Sequence, residues 1–401
     1  MNLRKNLGRV ASTIVATALL ASVATVPAFA ADNDQIQTST DDNALTSITI
    51  EKELDKPADA YAPKYTFDFT VAPAGTGEDG SLQTETAGGM MGETAIQLEV
   101  YKGMTNGVTK GTNDGKASFE PAAADIGQTL LTEEFTFTVD STAFPHAGVY
   151  KYTITESASD YDGITNDTVT TRDLYVYVRD DNGTMEVYGA VVKGQNADKT
   201  DRFTNTYLGG STDSDMNEVA IEKAVTGEMG SKENQFAFSL VISGPDGEKY
   251  KAEYQKLEGN DWTTDTSKGT NGIIEITSKT PFTGMTLADS ERLYIYGLSD
   301  EDVYTIIETD AEHDNYTTSV TGNVAGEDTY TEVEGQGDSA VYDKVVGSVN
   351  PDASEVKTIK YTNNRDAVSP TGIAMNVAPY ALLVVVAVAG CFVFLRKRNE
   401  D

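Results

Sequence analysis

In an extended strand, residues two apart share a face. By that rule six polar side chains of this 401-residue chain fall on faces that are otherwise apolar. Lys52 follows Ile48 and Ile50 and precedes Leu54, and Lys223 stands likewise among Val219, Ile221 and Val225. Glu156 shares a face with Tyr152 and Ile154, and Glu308 with Tyr304 and Ile306. Asn205 falls between Phe203 and Tyr207, and Asn363 follows Ile359 and Tyr361. An isolated buried ammonium or carboxylate costs several kcal/mol even after relaxation. Burial therefore favours a neutral lysine and a protonated glutamic acid. A neutral amine is a nucleophile. Held against an asparagine carboxamide, it gains an effective concentration on the order of 10⁵–10⁸ M in well-oriented cases. The glutamic acid can move protons as the tetrahedral intermediate collapses. The products are a Lys–Asn isopeptide bond and ammonia, formed once per set of three. Parity alone leaves two other arrangements open: a buried Lys–Glu ion pair with an Asn hydrogen bond, and edge strands whose polar ends are solvated.

The elements that must carry these residues read as strands. Short alternating runs rich in Thr, Val, Ile, Tyr and Phe, such as 65–71, 135–139, 174–178 and 236–242, are broken by Gly, Asn and Asp. Asp181-Asn182-Gly183 predicts a hairpin turn. The motifs also recur in the same order. Ile48-Thr49-Ile50-Glu51-Lys52 is answered by Val219-Ala220-Ile221-Glu222-Lys223, Tyr152-Thr153-Ile154 by Tyr304-Thr305-Ile306, and Phe203-Thr204-Asn205 by Tyr361-Thr362-Asn363. The fold class expected is all-β, with two tandem Ig-like β-sandwich domains over 46–208 and 218–365. Each opens on a lysine strand and closes on an asparagine strand. Residues 209–217, rich in Gly, Ser, Thr and Asp, form the linker. A Gly-rich stretch over 75–92 has no assigned place, and Lys56 is a second, weaker candidate for the first lysine.

Bulk composition excludes several function classes. With 30 Lys+Arg against 63 Asp+Glu the net charge is −33, which repels phosphate backbones, so no nucleic-acid partner is expected. Two histidines and one cysteine rule out an internal disulfide and a Cys/His zinc cluster. Acidic runs such as 213–218 lack EF-hand spacing, so neither metal nor cofactor is expected. Tyr175, Tyr177 and Tyr188 could make an exposed ligand-binding face, although tyrosines on strands usually reflect β-propensity.

The two ends read as export signals. Residues 1–30 have a basic start (Arg4, Lys5, Arg9), an apolar stretch and Ala28-Phe29-Ala30, the outline of a signal peptide. Residues 31–45 are a flexible N-terminal segment. Residues 377–395 are an apolar run long enough for a membrane-spanning helix. Arg396-Lys397-Arg398 follows and should stay cytoplasmic. The intervening chain is then outside the cell, transiently anchored by 366–401.

Val368-Ser369-Pro370-Thr371-Gly372, the apolar run and the basic tail together resemble the cell-wall sorting signal of Gram-positive surface proteins. Proline stands directly before Thr-Gly, which departs from the commoner Leu-Pro-x-Thr-Gly and is similar to the variant of some pilins. The lysine, glutamate and asparagine motifs in their order resemble the isopeptide-linkage domains of streptococcal major (backbone) pilins. That resemblance implies Lys52–Asn205 and Lys223–Asn363 bonds assisted by Glu156 and Glu308, in a structural protein with no turnover. It implies that a pilus-specific sortase cleaves between Thr371 and Gly372 and joins Thr371 to a lysine of the next identical subunit. Lys199 stands nearly where the family places that lysine, with Lys193 as the alternative. Minor pilins or an adhesin, and peptidoglycan, are the further partners implied. The competing expectation is a wall-anchored adhesin or minor pilin that has these domains and does not polymerise.

Overall fold

A computed structural model describes residues 35–38, 44–91, 94–112, 114–194, 202–211, 218–309, 315–323, 329–333, 342–348 and 356–367. The signal-peptide and sorting segments, the apolar run 377–395, Lys199 and the acidic run after 211 lie outside them. Among the described residues no helix is long and apolar enough to cross a membrane.

The fold is all-β, and among the described residues its strands assemble into four sheets. The first core lies between a sheet ordered Ile164–Thr165, Phe203–Tyr207, Ser47–Asp55, Leu130–Val139, Val108–Thr109 and a larger one containing Thr184–Gly194, Thr171–Asp181, Gly148–Glu156 and Tyr65–Pro73. The second core lies between a sheet ordered Asp261–Thr264, Lys249–Glu258, Glu291–Tyr296, Val219–Thr226, Lys357–Asn364, Thr317–Asn323 and one ordered Phe282–Leu287, Phe236–Ser243, Val303–Thr309, Tyr342–Gly347, Thr329–Val333. Strict alternation drives the burial: Ile48, Ile50, Lys52 and Leu54 point inward while their neighbours in sequence do not. Both cores are rich in aromatic contacts, including Phe69 stacked on Phe135 with ring centroids 3.9 Å apart.

In each sandwich the opening and closing strands lie side by side and parallel. Parallel pairing requires a long crossover, and here almost the whole domain is that crossover. Lys52 is in register with Phe203 and Asn205 with Leu54; Lys223 is in register with Tyr361 and Asn363 with Val225. The lysine and asparagine are thus diagonal neighbours on one inward face, with the same offset in both domains.

The Gly-rich stretch forms a turn and then the hairpin Leu82–Met91/Thr94–Lys102, which joins the first domain's larger sheet through its Gly148–Glu156 strand. This corrects the expected exposed tyrosine face. Tyr175 and Tyr177 are buried with Val100 and Val191 beneath that addition, and the Tyr175 hydroxyl donates to Glu85 Oε2 at 2.9 Å. Residues on the outer face of a sheet read as solvent-facing from parity, and only the tertiary fold shows them covered.

A buried acidic contact joins the two sandwiches. Glu248 Oε1 accepts from the Tyr207 hydroxyl at 2.5 Å, and Glu248 Oε2 accepts from Tyr250 at 3.1 Å. The Tyr250 hydroxyl also lies 3.0 Å from Asp302 Oδ1. One hydroxyl hydrogen cannot satisfy two carboxylates, so the group is satisfied only when one carboxyl carries a proton. Burial, with Asp302 adding negative charge, pushes Glu248 up to about 7; burial likewise pushes Asp302 up to about 6. Both values stand above those of an unfolded chain, so the folded state holds extra protons in between. Stability is therefore fully present below about pH 4 and is lost as pH rises towards 7. Melting curves between pH 4.5 and 8 are expected to show a fall of about 2–4 kcal/mol. Glu248→Gln should flatten that dependence, and an unchanged slope would contradict this assignment.

Candidate functional site

Each triad is assembled from both sheets of its sandwich: lysine and asparagine from the paired parallel strands, glutamate from the strand facing them. Lys52 and Asn205 are fully buried and Glu156 is 4% exposed. Lys52 Nζ donates to Asn205 Oδ1 at 2.6 Å and lies 3.1 Å from Glu156 Oε1. Its ammonium sits over the Phe67 ring at 4.5 Å. Lys223, Glu308 and Asn363 form the second set. Lys223 Nζ donates to Glu308 Oε1 at 2.7 Å, Asn363 Nδ2 donates to the same oxygen at 2.8 Å, and the Phe236 ring lies 4.2 Å from Lys223 Nζ.

The electrostatics of the first set oppose full charge separation. Burial lowers Lys52 to about 8 despite the attraction of Glu156, and burial raises Glu156 despite Lys52. The two shifts bring amine and acid towards sharing one proton, which is the state in which lysine can attack. The amides are met differently in the two domains. In the first, Asn205 Oδ1 accepts from Lys52 and the amide also interacts with Glu156. In the second, Asn363 Nδ2 donates to Glu308 and Oδ1 has no hydrogen-bond partner among the described residues.

Lys56 is placed elsewhere. Its Nζ lies within hydrogen-bond distance of four backbone carbonyls, those of Pro57, Ala60, Asp125 and Gln128, at 2.7–3.0 Å, and its three N–H groups are shared among them. Burial lowers it to about 8, so at neutral pH it is still the charged donor those carbonyls require. It ties the 57–60 and 125–128 segments together through backbone carbonyls. Lys193, half-buried, stands opposite Asp173 in the Thr184–Gly194 strand.

Sequence reading missed Arg172 and Asp167. Arg172 is 1% exposed, pairs with Asp167 Oδ2 at 2.8 Å and lies over Phe203, next but one to Asn205. Its signal was available, because Arg172 shares the parity of Leu174, Val176 and Val178. Among the described residues no cluster of His, Cys, Asp and Glu is arranged to hold a metal ion.

Residues 48–208 match the family described as the Spy0128-like isopeptide containing domain. Residues 217–365 match a Domain of unknown function (DUF7601). A curated protein of Streptococcus pyogenes serotype M1 named "Pilin" is 27% identical over 360 residues, covering 88% of this chain and 91% of the relative. The crystal structure of the major pilin from Streptococcus pyogenes is similar at 20% identity and a TM-score of 0.47, covering 80% of this chain and 99% of that one. The T3.2 major pilin from the same species is similar at 21% identity and a TM-score of 0.48, covering 82% and 99%.

Proposed function

We propose that this chain is a backbone pilin of the Gram-positive type, a structural shaft subunit of a cell-surface pilus, and that each of its sandwiches seals itself with one Lys–Asn bond. The observation that carries this reading is the burial of an amine, a carboxyl and a carboxamide linked by short contacts through one shared member, Lys52 in the first set and Glu308 in the second, at the same strand register.

In the first domain the Lys52 ammonium gives a proton to Glu156, and the amine attacks Asn205 Cγ. Charge develops on Oδ1 as the tetrahedral intermediate forms. Glu156 passes its proton to Nδ2 and takes up the surplus proton of the attacking Lys52 nitrogen; the C–N bond breaks, and ammonia leaves as the neutral isopeptide bond remains. Lys223, Glu308 and Asn363 follow the same sequence in the second. The chemistry happens once per domain, so the protein is structural and not an enzyme.

We infer further that residues 1–30 direct export and that a sortase cleaves Val368-Ser369-Pro370-Thr371-Gly372 after Thr371. The apolar run 377–395 and the basic tail would hold the subunit in the membrane until then, and the finished fibre would be joined to peptidoglycan. Thr371 is joined to Lys199 of the next subunit, with Lys193 as the alternative acceptor. A chain with net charge −33 repels its own copies, so covalent joining suits its assembly. Lys199→Arg is expected to abolish the high-mass ladder in cell-wall extracts while leaving monomer abundance unchanged. An unaltered ladder with Lys199→Arg and with Lys193→Arg would reject both acceptors.

A further inference from the structure

The first triad has a neighbour that the chemistry above does not use. Beyond Lys52, the Asn205 carboxamide oxygen accepts a second hydrogen bond, from the backbone N–H of Asp167 at 3.3 Å. Asp167 lies in the loop that leads into the Thr171–Asp181 strand, and a loop amide has no intrinsic reason to face a buried side chain in another strand. It is held there by side-chain bonds. Asp167 Oδ1 accepts from the Val169 N–H at 2.9 Å and Oδ2 from the Thr204 N–H at 3.2 Å, next to Asn205. Arg172 closes the clamp. One guanidinium donates to Asp167 Oδ2, to the Val169 and Thr171 carbonyls, and to the Arg202 carbonyl at the start of the asparagine strand.

We propose that the Asp167 N–H is the oxyanion donor for closure of the Lys52–Asn205 bond, and that Arg172 is the positioning residue that aims it. The inference rests on the self-sealing reading above and adds a group to it. When Lys52 attacks, Asn205 Oδ1 passes from an amide oxygen to an anionic one, and a preorganised N–H at that atom stabilises the intermediate more than the reactant. No bond to Asp167 forms or breaks; it donates a hydrogen bond throughout. Arg172 acts at a distance through the loop and the Phe203 face it covers at 4.7 Å. Burial lowers the Lys52 pKa most, Glu156 and Asp167 raise it, and the Arg172 charge adds a smaller lowering that favours the neutral amine. The second domain lacks this arrangement among its described residues: Asn363 Oδ1 has no hydrogen-bond donor there. The two bonds should therefore depend differently on Arg172.

The test follows closure of each bond in the full mature chain, refolded from unlinked protein, by peptide mapping against time. Arg172→Gln should slow the Lys52–Asn205 bond by at least ~10-fold, on the scale of a lost or misaimed oxyanion donor. The Lys223–Asn363 bond, in the same molecules, should form at the wild-type rate. Arg172→Lys keeps a cation and part of the clamp and should fall between. The alkaline limb of the rate profile should move to higher pH in Arg172→Gln, because the cation that favoured neutral Lys52 is gone; packing loss alone would leave it in place. A wild-type rate for the first bond in Arg172→Gln overturns the proposal. If that variant does not fold its first domain, an unslowed bond in folded Arg172→Lys overturns it equally. A wild-type chain in which Lys52 and Asn205 never join would instead refute the self-sealing reading and this inference with it. That outcome is told apart because it needs no variant.

Discussion

Asn363→Ala is expected to leave the mature chain heavier by one ammonia-equivalent than its sealed counterpart, after allowance for the substitution, and to lower the second domain's melting temperature by about 10–20 °C. The estimate comes from the loop that the bond closes. Lys223 and Asn363 enclose about 140 residues, and a crosslink across such a loop removes chain entropy worth roughly 5 kcal/mol. In a domain of this size each kcal/mol moves the melting point by about 2–4 °C. The same bond is lost in Glu308→Ala, with a larger effect. That variant also leaves the Lys223 ammonium buried among Phe236 and Phe238 without its carboxylate, and breaking a buried pair costs about 3–5 kcal/mol more. The ranking of the two variants separates the covalent contribution from the electrostatic one. The first domain's bond, carried by different residues, should be intact in both. Equal melting points for wild type and Asn363→Ala would contradict the prediction.

The second large effect is mechanical. In a pilus joined through Lys199 and Thr371, tension runs along the chain from Lys199 past Asn205 and the linker to Lys223. It then crosses the isopeptide bond to Asn363 and leaves at Thr371. Residues 224–362 lie off that covalent path. A single-molecule pull between positions 199 and 367 is expected to show no unfolding step from the second domain at forces that leave covalent bonds intact. In Asn363→Ala the same pull should release about 140 residues, on the order of 450–500 Å of chain. The parallel strand pair explains why one bond suffices. The strands that receive the load are the two it joins, so the bond passes tension from one to the other and residues 224–362 are not extended. A release of that length from the wild-type protein would sink the argument.

Period-two parity exposed the six triad residues because a strand has only two faces, and a polar residue on the wrong one stands out at once. It exposed the all-β class and the order of the repeated strands for the same reason. It could not show the overlay on Tyr175 and Tyr177. Parity distinguishes the faces of a sheet but does not say which is covered, and the covering hairpin comes from a Gly-rich segment with weak strand signals. Arg172 was legible by the same rule as Lys52, on the face of Leu174 and Val176. Asp167 was not, since its contribution is a backbone N–H in a loop, and any residue type carries one. Lys56 falls between these cases. Its buried position follows from the lysine strand, but four carbonyl acceptors drawn from two loops leave no mark in composition or spacing.

The most direct measurement is the intact mass, under denaturing conditions, of the recombinant chain from Ala31 to Thr371. Self-sealing predicts a mass lower than that of the sequence by two ammonias, with Lys52 joined to Asn205 and Lys223 to Asn363 in the peptide map. A mass equal to that of the sequence, in chains shown to be folded, would mean that the buried amines and carboxamides merely sit beside one another, and the account would be wrong.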